Sequence, residues 1–553
     1  MQKRSLFFWD TTLDPIDYPD LVKKKFFNES IKHRKNFVVW LGKISKSYNK
    51  EIDWWLKLPT SRDPYKSKLF KNLIILKILK DKKIKLKIYG IKVDSKELKS
   101  SIIKNTSFNS KLIKICDKKQ KIYKNFFLIL KSVSYILITF FLVNLFAKKK
   151  IIKNYKITLI DTFVDHRTGK NDTIYPNLQK ILNKMNFKHV FFVPTFIINR
   201  NLLNTLNKIK FYSKRNYIFK EHFISLNDLL RSLVSCFNQK KFYKNYENFQ
   251  GLDCSMILIN EIKSKKDLFN EIVARLNFVF VKKLKEAGIN VKKSINRFEN
   301  QSVDRGWNLG FRTFFPDAKV LGYQGYLYYP QLTNQTPVFY EEKAKIIPDS
   351  LIITSKFFKK PRREFYKKLK IIIGPSIEKQ SIFKNIKHKY NYKFVLALSG
   401  IKLVDKKLLE WTIYALEKNR KLKIIIKPHP ILPIHKIINT KDKIFNKQVR
   451  VSNENINETL EKTQILISSG PTGIILESLA YSCKLFYLYI DPNDVLLTKN
   501  LPLSRSMFKF IENKVSLAKD MNASNLKKFK KKSNKLSNYF YTKINSRNIN
   551  IFI

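Results

Sequence analysis

Apolar positions along this chain fall into short runs separated by polar segments of helix length, and the runs are rich in Ile, Val, Leu and Phe. KITLIDTFVDHRTGK (156–170) reads as a strand ending in a polar, acidic loop, NLQKILNKM (177–185) as an amphipathic helix, and KHVFFVPTFI (188–197) as a second strand. Strand, loop, helix and strand in that order predict a Rossmann-like unit built on a parallel sheet. Helical spacing recurs at 224–237 and 267–286, and AKVLGYQGYLYYP (318–330) predicts a strand running into an aromatic turn. A second series begins near 345. KIIIGPS (370–376), KFVLALSG (393–400), KLKIIIKPHP (421–430), QILISSG (464–470) and KLFYLYI (484–490) read as strands, with helices at 405–418 and 472–482.

These runs divide the chain. Residues 1–125 are a Lys-rich α/β segment in which KNLIILKILK (71–80) predicts a helix, KLKIYGI (85–91) a strand, and FVVWLG (37–42) a further apolar run. Segments 151–340 and 341–514 are expected as two Rossmann-like domains facing a cleft, with the Pro-marked stretch 330–348 as their boundary. From 515 to 553 the sequence turns Lys, Asn and Ser rich, the composition of a helix that frays.

Residues 126–150 stand apart. FFLILKSVSYILITFFLVNLFA (126–147) is long and apolar enough to cross a bilayer, is interrupted by Lys131, and is followed by Lys148, Lys149 and Lys150. A single crossing would put residues 1–125 and the remaining domains on opposite sides of a membrane. An interfacial or buried helix avoids this, gripping the cytoplasmic leaflet through its basic flank. Both readings remain open, with the second favoured.

Composition changes this picture little. An apolar content of 44%, 14% of the chain being aromatic, is that of a globular protein despite 27% charged residues. The net charge of +66 is spread along the whole length, and Lys, Asn and Ile abound everywhere, as in chains encoded by AT-rich genomes. No basic arm or nucleic-acid-binding motif gathers that charge, so a nucleic-acid partner is not expected, although an anionic surface would attract the protein. Cys116, Cys236, Cys254 and Cys483 lie far apart with no CxxC pair, so neither a zinc site nor a disulfide framework is expected. With no secretory leader in MQKRSLFFWDTTLD, the expected location is the cytoplasm, peripheral to the inner face of the plasma membrane.

Two segments carry the chemistry. In ISSGPTGIILESLAY, Ser468, Ser469 and Gly470 end a predicted strand and Thr472 opens a helix, an arrangement that presents backbone N–H groups to an anion. Glu477, further along that helix, could accept bonds from ribose hydroxyls. An ordinary helix cap is the equal alternative for the serine turn taken alone. In KPHP, two prolines fix the loop that holds His429 after a β-branched run ending at Lys427, so the imidazole and the ammonium could meet a phosphate. On neighbouring strands of one sheet, the two segments favour a phosphate-bearing ligand.

KPHP followed by SSxxTxxxxE resembles the HP and SS motifs of bacterial GT-B glycosyltransferases acting on surface polysaccharides, among them polysialyltransferases, capsule transferases and teichoic-acid polymerases. The resemblance implies that His429, Ser468, Ser469 and Thr472 bind the donor nucleotide and phosphate, with Glu477 as the acidic residue of the following helix. RFENQSVDRGWNLGFRTFFPDAKVLGYQG (297–325) is similar to the YENQPWE stretch of surface carbohydrate biosynthesis proteins, a likeness extending over much of 150–510. Here Ser302, Val303 and Asp304 stand where that pattern has an aromatic and an acidic residue.

Glu299, within the polar Glu299–Asn300–Gln301 cluster, is a candidate general base, with a plain helix N-terminus as the alternative. Asp161, Asp165 and His166 of the first acidic loop are further candidates on the acceptor side. The expected enzyme transfers a sugar from a nucleotide-activated donor, which is substrate rather than cofactor, to a glycan or lipid-linked acceptor. No metal and no resident cofactor are expected, since Lys427 and the helix start supply positive charge. A polyol-phosphate transferase on the same scaffold, a nucleotide-sugar epimerase, and a non-catalytic protein binding nucleic acid or anionic lipid are the alternatives.

Overall fold

The computed structural model describes residues 6–85, 87–116, 119–150, 152, 155–165, 175–198, 201–330, 332–383, 391–437, 447–470, 472–490, 507–523 and 538–553. Three parallel sheets organise them. The smallest joins β1 (Phe7–Asp10), β2 (Ile88–Val93) and β3 (Ile113–Ile115) in that order. The second contains β4 (Lys156–Val164), β5 (Val190–Phe196), β6 (Asn290–Arg297), β7 (Lys319–Gln324), β8 (Ser350–Ile353) and β9 (Ile371–Ile373), in the order β5-β4-β6-β7-β8-β9. The third contains β10 (Tyr392–Ala397), β11 (Ile424–Lys427), β12 (Val449–Val451), β13 (Thr463–Ser468), β14 (Lys484–Leu488) and β15 (Phe508–Ile511), in the order β12-β11-β10-β13-β14-β15.

Each six-stranded sheet starts in its interior, runs to one edge and returns to the other side of the starting strand. The order therefore reverses between β4 and β6 in one sheet and between β10 and β13 in the other. Loops diverge at such a reversal and leave a crevice at the carboxyl ends of the strands, where α/β sheets bind ligands. The expected architecture is the one adopted: two Rossmann-like domains across a cleft, a GT-B-like arrangement, with an N-terminal α/β segment and an apolar helix.

The limits of the domains differ from those expected at 330–348. Strands β8 and β9 lie beyond that stretch yet pair with β7 and with each other, so the passage between sheets falls between Ile373 and Tyr392. The stretch itself is interior: Thr333, Asn334, Gln335 and Thr336 are buried, and Arg62 of the N-terminal segment donates to the carbonyls of Thr333 (2.6 Å) and Thr336 (3.1 Å). The N-terminal segment is likewise part of the first domain's core. Lys57 pairs with Glu271 in a fully buried site, and Tyr340 donates to the Val38 carbonyl at 3.1 Å.

The C-terminus also departs from expectation. Lys514–Ala523 is a helix, but residues 538–553 return to the first domain instead of fraying. Thr542 and Ser376 exchange two bonds of 2.8–2.9 Å, Thr158 Oγ1 donates to the Ile553 carbonyl at 2.9 Å, and Ile549 and Phe552 are buried beside Tyr175 and Tyr323.

The apolar helix spans Lys119–Phe146. One face, with Tyr135, Ile136, Phe140 and Val143, is buried against the first domain, and the Tyr135 hydroxyl donates to the Ile197 carbonyl at 2.9 Å. The opposite face leaves Phe127, Leu130, Ile138, Phe141 and Leu145 exposed at helical spacing.

Candidate functional site

A cleft of about 700 Å³ opens where the two sheet reversals face one another. From the second domain it takes Lys427, His429, Thr472, Gly473 and Glu477; from the first, Arg297 and Tyr326; and from the passage between the sheets, Glu378 and Lys379. Tyr541 reaches it from the returning C-terminal segment, its hydroxyl buried and without a partner among the described residues. A second cavity of about 370 Å³ adjoins on the first domain, lined by Asp165, Asn270, Glu299, Gln301 and Asp304, and Arg297 lines both.

His429 is held from behind. It stands on the loop leaving β11, which closes through a bridge to Leu432, and its Nδ1 accepts from Ile431 N at 3.4 Å. Behind the ring lies Gly400, after β10, at φ +83°; a Cβ there would sit 2.5 Å from Nδ1. The Ser399–Gly400 turn hangs on one carboxylate, since Asp405 accepts from Ser399 N (2.6 Å), Ser399 Oγ (2.8 Å) and Gly400 N (2.9 Å). Burial pushes the Asp405 carboxyl above the usual carboxylate range, against the pull of those bonds.

The serine turn is only partly as expected. Ser468 is fully buried and donates to the Ala397 carbonyl at 3.0 Å, so it ties β13 to β10 and does not face the cleft. Ser469 is also fully buried, its hydroxyl without a partner among the described residues. Gly470 adopts φ +84° and turns the chain toward Thr472, which does line the cleft. The helix begins at Ile474 and runs only to Ala480, so Thr472 precedes it rather than opening it. Glu477 lines the cleft, and its Oε1 accepts from Lys379 at 2.7 Å, an ion pair that occupies one of the two carboxylate oxygens expected to meet ribose. Lys427 also reaches the cleft, its ammonium bonded to the carbonyls of Ser452 and Glu454.

On the first domain, Glu299 stands in a turn stabilised from three sides. Asn300 takes φ +56°, and its side-chain amide donates to Glu341 at 2.9 Å. Glu341 is fully buried between Arg62 (2.9 Å) and Arg305 (3.1 Å). Asp304, at the third position of the helix Ser302–Phe314, accepts from the backbone of Glu299 (2.9 Å) and Gln301 (3.0 Å), and burial raises its carboxyl well above the usual range. The Glu299 carboxylate is ion-paired with Arg297 Nε at 3.1 Å and accepts from Gln301 Nε2 at 3.0 Å. Asp165 shares this cavity, following β4 directly. Asp161 belongs to β4 itself and is buried, which removes it from the loop candidates. His166 lies outside the described residues.

Thus Glu299 and Asp165 share one cavity, and Lys427, His429, Thr472 and Glu477 share the adjoining one. Arg297, Lys379, Asp405, Gly400 and Tyr541 were not foreseen. Only the glycine followed by a carboxylate five residues on could have signalled the turn behind His429. Among the described residues, no three His, Cys, Asp or Glu side chains come together as a metal-binding group, and the four cysteines are free.

No protein-family model and no curated protein matches the chain. Among solved structures it is similar to MurG from Acinetobacter baumannii, at 10% identity over 72% of this chain and 99% of that one, with a TM-score of 0.41. A glycosyltransferase from Rickettsia africae matches at 15% identity over 72% and 96%, TM-score 0.39. The wall teichoic acid polymerase TagF matches at 10% over 78% and 96%, TM-score 0.37. At such identities and scores the likeness decides nothing about the reaction, which has to come from the site.

Proposed function

We propose that this protein is a glycosyltransferase of surface polysaccharide synthesis, moving a sugar from a nucleotide-activated donor to a glycan acceptor. The observation that carries this reading is the pair of adjoining cavities: one lined by His429, Lys379, Arg297 and Thr472, the other by the carboxylates Glu299 and Asp165. Cations and an imidazole suit a diphosphate and offset the charge that develops on a departing nucleotide. A carboxylate within reach of an acceptor hydroxyl suits proton removal. The nucleotide sugar enters as substrate, and this scheme uses no metal and no resident cofactor.

The test is a thermal-shift panel of CMP-, UDP-, GDP- and CDP-linked ligands, with CDP-glycerol included to separate sugar from polyol-phosphate donors. One nucleotide class should raise the melting temperature of the wild type, and His429→Ala should remove most of that shift. If no nucleotide stabilises the wild type, or His429→Ala responds equally, the donor site is wrongly assigned.

The same reading places the enzyme on a membrane surface. The apolar helix is long enough to span a bilayer, but its buried face is committed to the first domain, which supports an interfacial role for its exposed face. Lys131, Lys148 and Lys149 are exposed on it or just beyond it, and Lys210 lies over the Phe146 ring at 5.1 Å, so an anionic bilayer is the complementary partner.

A further inference from the structure

The residue shared by the two cavities is Arg297, the last of β6. Its position follows from the sheet reversal, which brings the end of β6 beside the end of β4 and opposite the second domain. On one side it holds Glu299, through Nε to Oε1 at 3.1 Å. On the other it feels the negative charge of Glu378 in the larger cleft. Neither ion-pair partner is deeply buried: the Arg297 side chain keeps 30% of its exposure and that of Glu299 keeps 35%. Such a pair is weak and open to competition. A diphosphate offers a guanidinium more charge and more acceptor oxygens than one carboxylate does.

We propose that Arg297 couples donor binding to acceptor activation: it pairs with Glu299, and a donor diphosphate draws it away so that Glu299 can accept a proton. This rests on the donor-site reading above. Oε1 of Glu299 is ion-paired with Arg297 at 3.1 Å and Oε2 accepts from Gln301 Nε2 at 3.0 Å, so each oxygen already has a partner of its own. With the guanidinium on the phosphates, one oxygen is released toward the acceptor. The acceptor hydroxyl then gives its proton to Glu299 while its oxygen bonds to the anomeric carbon of the donor. The bond from that carbon to the phosphate oxygen breaks, and its electron pair leaves on the nucleoside diphosphate, whose charge Arg297 offsets. The proton on Glu299 afterwards returns to solvent.

Competition for one guanidinium has a signature that a structural role lacks. Removing the Glu299 charge frees Arg297 for phosphate, so Glu299→Gln should bind nucleotide more tightly than the wild type does. The experiment is calorimetric titration of the full chain with UDP, CDP, GDP and CMP. For the nucleotide that binds, affinity should rise about threefold to fivefold in Glu299→Gln. It should fall about tenfold in Arg297→Gln, and the double variant should match Arg297→Gln, with no gain from the lost carboxylate. Arg297→Lys, which keeps the charge, should fall between them and serves if Arg297→Gln does not fold. Unchanged or weaker binding by Glu299→Gln overturns the coupling while leaving the donor site standing. Absence of binding by the wild type overturns both.

Discussion

At the scale of single residues, the site depends on groups that no local pattern marks. His429 was legible because two prolines and a β-branched run isolate it. Arg297 and Lys379 were not, because each is one of 109 basic residues and only the folded chain brings them to one cleft, Arg297 from the end of β6 and Lys379 from the segment after β9. Ser468 and Ser469 were legible as a turn, but their direction was not: a strand that is interior to its sheet buries the last side chains before its loop. Gly400 is the residue whose replacement separates the orientation of His429 from its chemistry. Its φ of +83° disfavours any side chain, and an added Cβ would meet the imidazole itself. Gly400→Ala should therefore displace the ring while costing about 1–2 kcal/mol of stability. The melting temperature should fall modestly, whereas the nucleotide-induced shift should drop as far as it does in His429→Ala. A variant that keeps the full shift would mean the ring does not meet the nucleotide.

At the scale of elements, most of the strands lie where apolar spacing predicts them and the helix Leu268–Glu286 does so almost to the residue, whereas the helix Asp20–Lys46 was legible only as the apolar run FVVWLG. Membership of a sheet was harder to read. Prolines at 330–348 mark a turn, but in a parallel sheet the next strand can pair with the last across any connection, and β8 does so with β7. The start of the helix Ser302–Phe314 has the clearest pH consequence. Asp304 accepts two backbone bonds there while burial disfavours its charge more than the bonds favour it, so its carboxyl lies above its unfolded value. A raised carboxyl contributes stability below the unfolded pKa, and that contribution is lost as pH rises through the folded value. Asn keeps an oxygen for both N–H groups and carries no charge. The Asp304→Asn protein should therefore lose less melting temperature than the wild type between pH 5 and pH 8, on the order of a few degrees less. Equal slopes in the two proteins would show that Asp304 is not the group responsible.

At the scale of the whole molecule, the proposed membrane contact rests on the apolar helix. The sequence left spanning and lying flat both open, because length and composition satisfy either. Packing supports the proposed interfacial reading: Tyr135, Ile136, Phe140 and Val143 are committed to the first domain, and passing the helix through lipid would expose that domain's core. What remains outward is a stripe of Phe127, Leu130, Ile138, Phe141 and Leu145, on a molecule whose formal charge is +66. Apolar insertion and attraction to anionic lipid should act together, since neither a single short stripe nor diffuse lysines hold a protein firmly. Co-sedimentation with vesicles containing phosphatidylglycerol should recover most of the wild type at low salt, and progressively less as salt screens the charge. Neutral vesicles should recover much less. Replacing Phe127, Leu130, Phe141 and Leu145 together with Ser removes exposed apolar area only, so the melting temperature and the nucleotide-induced shift should stay near those of the wild type while vesicle binding falls about tenfold or more. If the fourfold variant sediments as the wild type does, the stripe does not enter the lipid. The lysines alone would then account for any membrane contact.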